Sequence, residues 1–535
     1  MNSELRDRIQ AWIADDVDPD AVAQLRALVA GSRDAELSDR FSGPLTFGTA
    51  GLRGPMRAGP NGMNRTVVRR AAAGLAAWLG DAGHRGTRVI IGYDGRHGSR
   101  DFAQDSAAVF AAAGFQTLLL PRMLPTPVLA FAVQRLGAQL GVMVTASHNP
   151  AADNGYKVYT ADGAQIVSPT DTQIEACIQA LGATRAIALS AEYTVLDESL
   201  VEDYVTRVAA LIDHGPRQLR IVHTAMHGVG TSVISAVFAA AGFAPLIPVV
   251  EQSEPDPDFP TVAFPNPEEP GALDLALNLA RAEVADIVIA NDPDADRCAV
   301  AARFGDDWRA LTGDEVGVLL ADFLIRKGVR GTYATTIVSS TLLRAMAARQ
   351  GVGYAETLTG FKWVVRAAPD LSYGYEEALG YAVAPELVRD KDGISAALLV
   401  AELAAGLKSQ GSTLAQRLAE LVAEYGLYAT DQVSVRVADL AQLTQLMARL
   451  RAAPPRELLG HVVDVTDLFP AADVVTLTWP GGRAVVRPSG TEPKLKAYLE
   501  VVVADGSRPR AQELLARLRT ELGGVLDLQP SAAPP

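Results

Sequence analysis

The string AVFAAAGF occurs twice, at residues 108–115 and 236–243, and each copy runs into a short apolar stretch, QTLLLP after the first and APLIPVV after the second. An Ala-rich helical segment, a glycine that stops it and a strand form one unit, and the chain uses that unit twice. A looser third copy, LLRAMAARQGVGYAETLTG, begins at Leu342 and is stopped by Gly351. Each copy follows a β-rich segment, respectively RVIIGYDGR, RIVHTAMHG and TYATTIVSS. Strands that alternate with helices pack as a sheet covered on its faces by helices, with mostly parallel strands.

After each unit comes another apolar strand that ends abruptly in polar residues: GVMV then TASHNP, DIVIA then NDPDADR, and LSYGY then EEALGY. Beyond about residue 428 the pattern changes to DQVSVRVADL, a helical AQLTQLMARLRAA and the strands DVVTLTW and RAVVRPSG, which predicts a smaller α+β domain. The expected fold is therefore α/β: three similar α/β domains with mixed, mostly parallel sheets plus a C-terminal α+β domain, around a central cleft. The expected boundaries are 1–200 (with an N-terminal helical extension), 201–312, 313–427 and 428–535. Ligands bind beyond the carboxyl ends of strands in such sheets, so each polar loop is a candidate site element.

A length of 535 residues accommodates three or four domains, and 49% apolar with 21% charged residues is a globular balance. A net charge of −14 argues against general nucleic-acid binding. Cys177 and Cys298 lie far apart without a CxxC spacing, so neither a disulfide framework nor a zinc site is expected, and a reducing cytoplasm fits. The opening MNSELRDRIQAWIADD reads as an amphipathic helix rather than a secretory signal, and no apolar run approaches the roughly eighteen residues of a membrane span. The Pro-rich end QPSAAPP reads as a frayed tail.

In NDPDADR the carboxylates of Asp292, Asp294 and Asp296 are spaced by two. Three crowded carboxylates repel unless a cation sits among them, and an all-oxygen set suits a hard ion such as Mg²⁺. The alternatives are an Asp-rich turn or a calcium loop, although the glycine and distal glutamate of an EF-hand are missing. RPSGTEPKLK offers Arg487, Ser489, Thr491, Lys494 and Lys496 around Gly490, a set suited to a phosphate but without Walker A order. GYEEALGY places Glu376 and Glu377 where carboxylates can accept hydrogen bonds from sugar hydroxyls. TLTGFKW adds Thr357, Thr359, Gly360 and Lys362, and RDKDG adds Arg389 and Lys391, further groups able to hold a phosphorylated polyol. A phosphate cradle, a hydroxyl-reading loop, a metal loop and an isolated serine together point to phosphoryl transfer to or from a sugar, with Ser147 as the carrier. His148 beside it is either a ligand-orienting donor or a structural hydrogen-bonder.

TASHNP, NDPDADR, GYEEALGY and RPSGTEPK, in that order, resemble the α-D-phosphohexomutase superfamily of phosphoglucomutases, phosphomannomutases and phosphopentomutases, as do FGTAGLRG, GYDGR and LPTPV. The likeness is strongest to the branch holding phosphoglucomutase and phosphopentomutase. The resemblance implies that Ser147 is a phosphoserine and that Asp292, Asp294, Asp296 and the Ser147 phosphate bind Mg²⁺, with Arg297 near the same phosphate. It also implies that Arg53, Lys157 and Lys391 lie near the reacting hydroxyl; a crowded positive field is expected to lower the lysines' pKa values, and which is acid and which base stays open. A serine that many hexose members carry in the sugar loop is here Ala378, which leaves the preferred sugar open.

The expected activity is an isomerase of the phosphoglucomutase/phosphomannomutase type. It interconverts hexose 1- and 6-phosphates through a bisphosphate intermediate, with a sugar bisphosphate of the glucose 1,6-bisphosphate type as activator. Alternatives are a phosphopentomutase, a sugar bisphosphate synthase or phosphatase, and a non-catalytic sugar-phosphate sensor. The expected partner is a small phosphosugar, with no nucleic acid and no membrane, and monomer and dimer both remain open.

Overall fold

Two stretches of chain built to the same plan make the first two sheets. A computed structural model describes residues 2–48, 51–437, 440–489 and 494–526. In the first sheet β1 (Leu52–Pro55), β2 (Arg88–Tyr93), β3 (Gln116–Leu119), β4 (Leu140–Val144), β5 (Asp153–Thr160) and β6 (Thr194–Val195) lie in the order β1-β5-β4-β2-β3-β6. The pairs β2–β3, β2–β4 and β3–β6 are parallel, whereas β4–β5 and β1–β5 are antiparallel. The second sheet repeats that arrangement: β7 (Ile221–Thr224), β8 (Ile247–Pro248), β9 (Ile287–Ala290), β10 (Ala299–Phe304) and β11 (Asp307–Ala310) run in the order β11-β10-β9-β7-β8, with β7 parallel to β8 and β9.

The repeated helix falls at Ser99–Ala112, Thr231–Ala240 and Leu342–Gln350. Each is closed by a glycine at positive φ, Gly114 (87°), Gly242 (81°) and Gly351 (65°), a conformation that side chains with a Cβ disfavour. The strand expected from APLIPVV shrinks to the two residues of β8, because Pro245 and Pro248 each remove a backbone donor.

The third copy supplies the parallel pair β12 (Thr332–Thr336) and β13 (Gly353–Thr357) and the antiparallel pair β14 (Leu371–Glu376) and β15 (Gly380–Ala382). The C-terminal segment contains β16 (Leu427–Arg436), a small ribbon of β17 (Glu457–Leu458) and β18 (His461–Val462), then β19 (Asp464–Asp467), β20 (Val475–Trp479), β21 (Gly482–Pro488) and β22 (Lys494–Val503). Its main sheet, β16-β22-β21-β20-β19, is antiparallel throughout. By packing, the chain forms two compact units, Met1–Val316 with Ser372–Gly411, and Gly317–Leu371 with Ser412–Pro535.

Burial follows the sequence pattern. Val89, Ile91, Val142 and Val144 of the first sheet share a core with Leu75, Leu79, Phe102 and Phe110 of the covering helices, each such side chain contributing about 1.5–3 kcal/mol. In the C-terminal segment Leu477, Val486, Leu499 and Val501 pack with Leu443, Met447, Leu518 and Leu522. Three helices precede the first sheet (Ser3–Asp15, Pro19–Ala30 and Asp34–Arg40) and close a small core of their own around Ile9, Leu25, Leu37 and Phe41. Among the described residues no helix is long and apolar enough to cross a membrane.

Candidate active site

Ser147 sits in the loop between antiparallel β4 and β5, at φ 52°, a left-handed conformation that costs a non-glycine residue about 1–2 kcal/mol. Several contacts hold it there. Its N–H donates to Thr145 Oγ1 (2.8 Å). The Arg96 guanidinium donates to the carbonyls of Ser147 and Asn149 (both 2.6 Å), Pro150 (2.8 Å) and Asp153 (3.2 Å), so one side chain fixes the backbone around the serine. Arg96 is steadied in turn by Asp94 (3.4 Å), whose carboxylate also accepts from Ser99 Oγ (2.6 Å) and the Arg96 N–H (3.0 Å). The outcome is a serine hydroxyl that donates to Asp292 Oδ2 at 2.9 Å, with His148 Nδ1 at 3.1 Å.

Asp292, Asp294 and Asp296 follow the carboxyl end of β9, all buried, and each offers an oxygen within 4.8 Å of the other two. The loop is tied on itself: Ala295 N–H donates to Asp292 O (2.8 Å), Arg297 N–H to Asp292 Oδ1 (3.1 Å), and Asn291 Nδ2 to Arg297 O (2.7 Å). Burial, and after it the charges of Asp294 and Asp296, push the Asp292 carboxyl well above the usual carboxylate range. Asp294 Oδ1 and Asp296 Oδ1 are buried with no hydrogen-bond partner among the described residues. Two orphaned anionic oxygens in an all-carboxylate cluster fit a hard divalent cation, which would relieve both the missing contacts and the repulsion.

Lys157 reaches this cluster because the β4–β5 hairpin places it opposite Met143, four residues before Ser147. Its Nζ donates to Asp294 Oδ2 (2.7 Å) and Asp296 Oδ2 (2.8 Å). Lys391 Nζ lies 3.4 Å from Asp296 Oδ2 and 3.7 Å from Asp390 Oδ1. Burial penalises both ammonium groups, but the carboxylates outweigh it, Asp294 and Asp296 at Lys157 and Asp296 and Asp390 at Lys391, so both lysines are held above their ordinary range. This corrects the expectation that neighbouring cations lower them: the nearest charges are anions. Arg53, on β1, donates to Asn149 Oδ1 (3.0 Å) in the serine loop, and burial lowers its pKa. Burial, followed by the charges of Arg297 and Arg53, drives His148 well below the ordinary histidine range and leaves a neutral imidazole.

The Glu376 loop is fastened to the same place by its backbone. Cys298 N–H donates to Leu379 O (3.1 Å), and Arg297 forms a bridge with Gly380. Burial pushes the Glu376 carboxyl up to about 7 against the opposing pull of Lys391. Glu377 is half-buried beside it, and its carbonyl lies so close to Gly313 that a Cβ there would stand 1.9 Å away. In RDKDG, Asp390 accepts from Tyr159 OH (2.7 Å) and Gln165 Nε2 (2.8 Å), and Asp392 caps the helix Gly393–Ser409 through the N–H groups of Ile394 and Ser395. Lys391 is thus mounted between two anchored aspartates; Arg389 stands half-buried just before them.

The second unit carries the remaining candidates. Arg487 on β21 is directly opposite Lys496 on β22, and Ser489 N–H donates to Lys494 O (2.7 Å) to close the hairpin. Facing like charges disfavour a strand pair, and an anion between them offsets the repulsion. Gly490 and Thr491 lie outside the described residues. Thr357 ends β13 and donates to Leu358 O (3.0 Å), Gly360 (φ 106°) precedes the short helix Phe361–Val364, and Lys362 lies within it.

Two positions to which the sequence alone assigns no role belong to this site. Arg96 lies in GYDGR and Thr126 in LPTPV, both visible as motifs, but neither motif discloses that its polar group turns toward a loop 50 to 170 residues away.

Four consecutive domain models of the phosphoglucomutase/phosphomannomutase family match the chain: α/β/α domain I over residues 44–185, α/β/α domain II over 202–305, α/β/α domain III over 312–425, and the C-terminal domain over 433–520. A probable phosphomannomutase of Haemophilus influenzae is 46% identical over 469 residues, 85% of this chain and 96% of that protein. The chain belongs to the phosphoglucomutase/phosphomannomutase family. A Mus musculus phosphopentomutase is 34% identical over 598 residues, covering 98% of this chain and 94% of its own length. Among solved structures, a Thermus thermophilus protein provisionally assigned as a phosphomannomutase superposes with a TM-score of 0.74 at 28% identity, over 91% of this chain and 99% of that one. As a member of this family the chain is a mutase, an isomerase by reaction class, built from three α/β/α domains and a C-terminal domain.

Proposed function

We propose that the chain interconverts hexose 1-phosphate and hexose 6-phosphate, of glucose, mannose or both, with Ser147 as the phosphoryl carrier. The observation that carries this reading is the strained Ser147, whose hydroxyl donates to Asp292 at 2.9 Å in a buried triad of carboxylates. Asp292, Asp294, Asp296 and the Ser147 phosphate would hold Mg²⁺, and the ion supplies positive charge against the phosphoryl oxygens. In one half-reaction a sugar hydroxyl forms the new O–P bond while the bond from phosphorus to Ser147 Oγ breaks; Lys157 or Lys391 takes the hydroxyl's proton, and the departing Oγ receives one from Asp292 or His148. In the other, the bond from the second phosphate to the sugar oxygen breaks, that oxygen takes the proton back from the lysine ammonium, and the phosphate passes to Ser147 Oγ. Asp292 Oδ2 and the neutral His148 Nδ1 are the acceptors within reach of its proton. Positioning and charge stabilisation supply the catalysis, so no nucleoside triphosphate is needed.

Arg53 is assigned to the neighbourhood of the reacting hydroxyl, Arg297 to phosphoryl oxygens, and Glu376 and Glu377 to sugar hydroxyls. Arg389, Thr357, Gly360, Lys362, Arg487, Ser489, Gly490, Thr491, Lys494 and Lys496 are assigned to the sugar phosphate. A sugar bisphosphate is the proposed activator, the four domains are taken to run 1–200, 201–312, 313–427 and 428–535, and the two free cysteines fit a cytoplasmic enzyme. The test is an assay with glucose, mannose and ribose 1-phosphates plus a trace of the matching bisphosphate. No isomerised product from any of them would defeat the reading. Ala378, and the similarity to a phosphopentomutase, favour pentose phosphate as the second reading; a higher kcat/KM for ribose 1-phosphate than for either hexose selects it.

A further inference from the structure

Asp294 is the middle carboxylate of the triad, and its two oxygens have opposite surroundings. Oδ1 is buried without a partner among the described residues, whereas Oδ2 accepts from Lys157 Nζ and from the hydroxyl of Thr126. Thr126 comes from the LPTPV segment and is itself fully buried. It grips the loop twice, since its backbone N–H also donates to Asp294 O (2.9 Å). A threonine at the start of a helix commonly turns its hydroxyl back on its own first turn. Here Thr126 is the first residue of the helix Thr126–Arg135, the preceding Pro125 makes no side-chain cap, and the hydroxyl goes to Asp294 instead.

Pro125 and Pro127 flank it. Each pyrrolidine ring fixes φ at its own position, and Pro125 further restricts the leucine before it, so Thr126 is presented from a stretch with little freedom left to lose. Pro127 lacks an N–H, which leaves Thr126 as the donor of the helix start that faces the loop. Occupying Oδ2 from one side turns the carboxylate so that Oδ1 is the oxygen left for another partner.

We propose that Thr126 is a positioning residue for the metal loop, aiming Asp294 Oδ1 at the cation site by holding Oδ2 and the Asp294 carbonyl. The inference rests on the mutase reading above only for the identity of the ion. It gives the LPTPV motif a physical role, as a proline-stiffened helix start that orients a ligand it does not itself supply.

The experiment measures Mn²⁺ affinity of the full-length protein by electron paramagnetic resonance of the free ion, alongside Mg²⁺-dependent turnover. Thr126→Val keeps the shape and removes the hydroxyl, Thr126→Ala removes it with less demand on packing should the valine variant not fold, and Thr126→Ser keeps it. The expected result is a Kd for Mn²⁺ raised about 10-fold or more in the Val and Ala variants, the range seen when a partner of a metal ligand is lost. The Ser variant should stay within about twofold of the parent on the same scale. Saturating Mg²⁺ should restore most of kcat, and KM for the sugar phosphate should not move. Unchanged Mn²⁺ affinity in both hydroxyl-less variants, with the parent protein binding Mn²⁺ normally, would overturn the role of Thr126 and leave the mutase reading standing. A parent protein that binds no Mn²⁺ would overturn both.

Discussion

Two glycines of one helix should respond to the same substitution with opposite signs. Gly393 opens the helix Gly393–Ser409, and a Cβ built on it would stand 2.2 Å from Arg297 O, 2.6 Å from Arg297 C and 2.8 Å from Ala295 O. Ordinary van der Waals contact begins at 3.4 Å, so the nearest gap falls short by 1.2 Å (3.4 minus 2.2), and the obstructing atoms are backbone that no rotamer can move aside. Gly393→Ala must therefore displace either the helix start or the end of the metal loop by about an ångström. Overpacking of that kind costs about 1–3 kcal/mol, and a misplacement of about 1 Å in a positioned site lowers turnover by roughly 100-fold. Gly406, in the same helix, has nothing among the described residues within 4 Å of the corresponding Cβ. Gly406→Ala should stabilise the protein by about 1 kcal/mol through helix propensity alone and leave kcat untouched. Thermal melts and steady-state kinetics on the two variants, with Mn²⁺ affinity as a third readout, check the pair. A Gly393→Ala protein with parental kcat and metal affinity would refute the claim that the helix start buttresses the loop.

Arg96→Lys replaces a fork serving four carbonyls with a single ammonium. Losing two charged hydrogen bonds at about 1.5–3 kcal/mol each should lower the melting temperature and reduce kcat more than it raises KM, as steady-state kinetics would show. Glu376 keeps its proton up to about pH 7 in the folded protein, whereas the unfolded chain releases it near pH 4.5. The folded state therefore binds more protons between those values and loses stability as pH rises through that window. Glu376→Gln should remove this dependence and gain at most about 3 kcal/mol over the parent above pH 7, with no advantage below pH 4.5, in denaturant titrations across pH. Chelation with EDTA should abolish turnover and Mg²⁺ restore it; activity indifferent to the chelator would remove the acidic triad from the metal role.

The sequence made the alternation of strands and helices legible because a repeated helix, a glycine stop and an apolar strand carry their information locally. The glycines at 114, 242 and 351 all adopt the left-handed conformation such a stop requires. What failed locally was β8, where prolines overrule the apolar pattern. The carboxylate triad was legible for the same reason as the strands, since its spacing lies within one loop. The direction of the lysine pKa shifts was not, because it depends on which charges stand within 3 Å of Lys157 Nζ, and those come from residues 137 and 139 positions away. Arg96 and Thr126 were visible only as members of motifs: a donor's type can be read from the chain, whereas its target is fixed by tertiary packing.

Transient phosphorylation of Ser147 is the most direct measurement. The protein is mixed rapidly with phosphorus-32-labelled sugar bisphosphate and unlabelled sugar monophosphate, and the peptide containing Ser147 is isolated across a single turnover. Label should reach that peptide before product forms and then leave it at the rate of turnover, while Ser147→Ala should neither label nor turn over. Product accumulating with Ser147 unlabelled throughout would contradict the account.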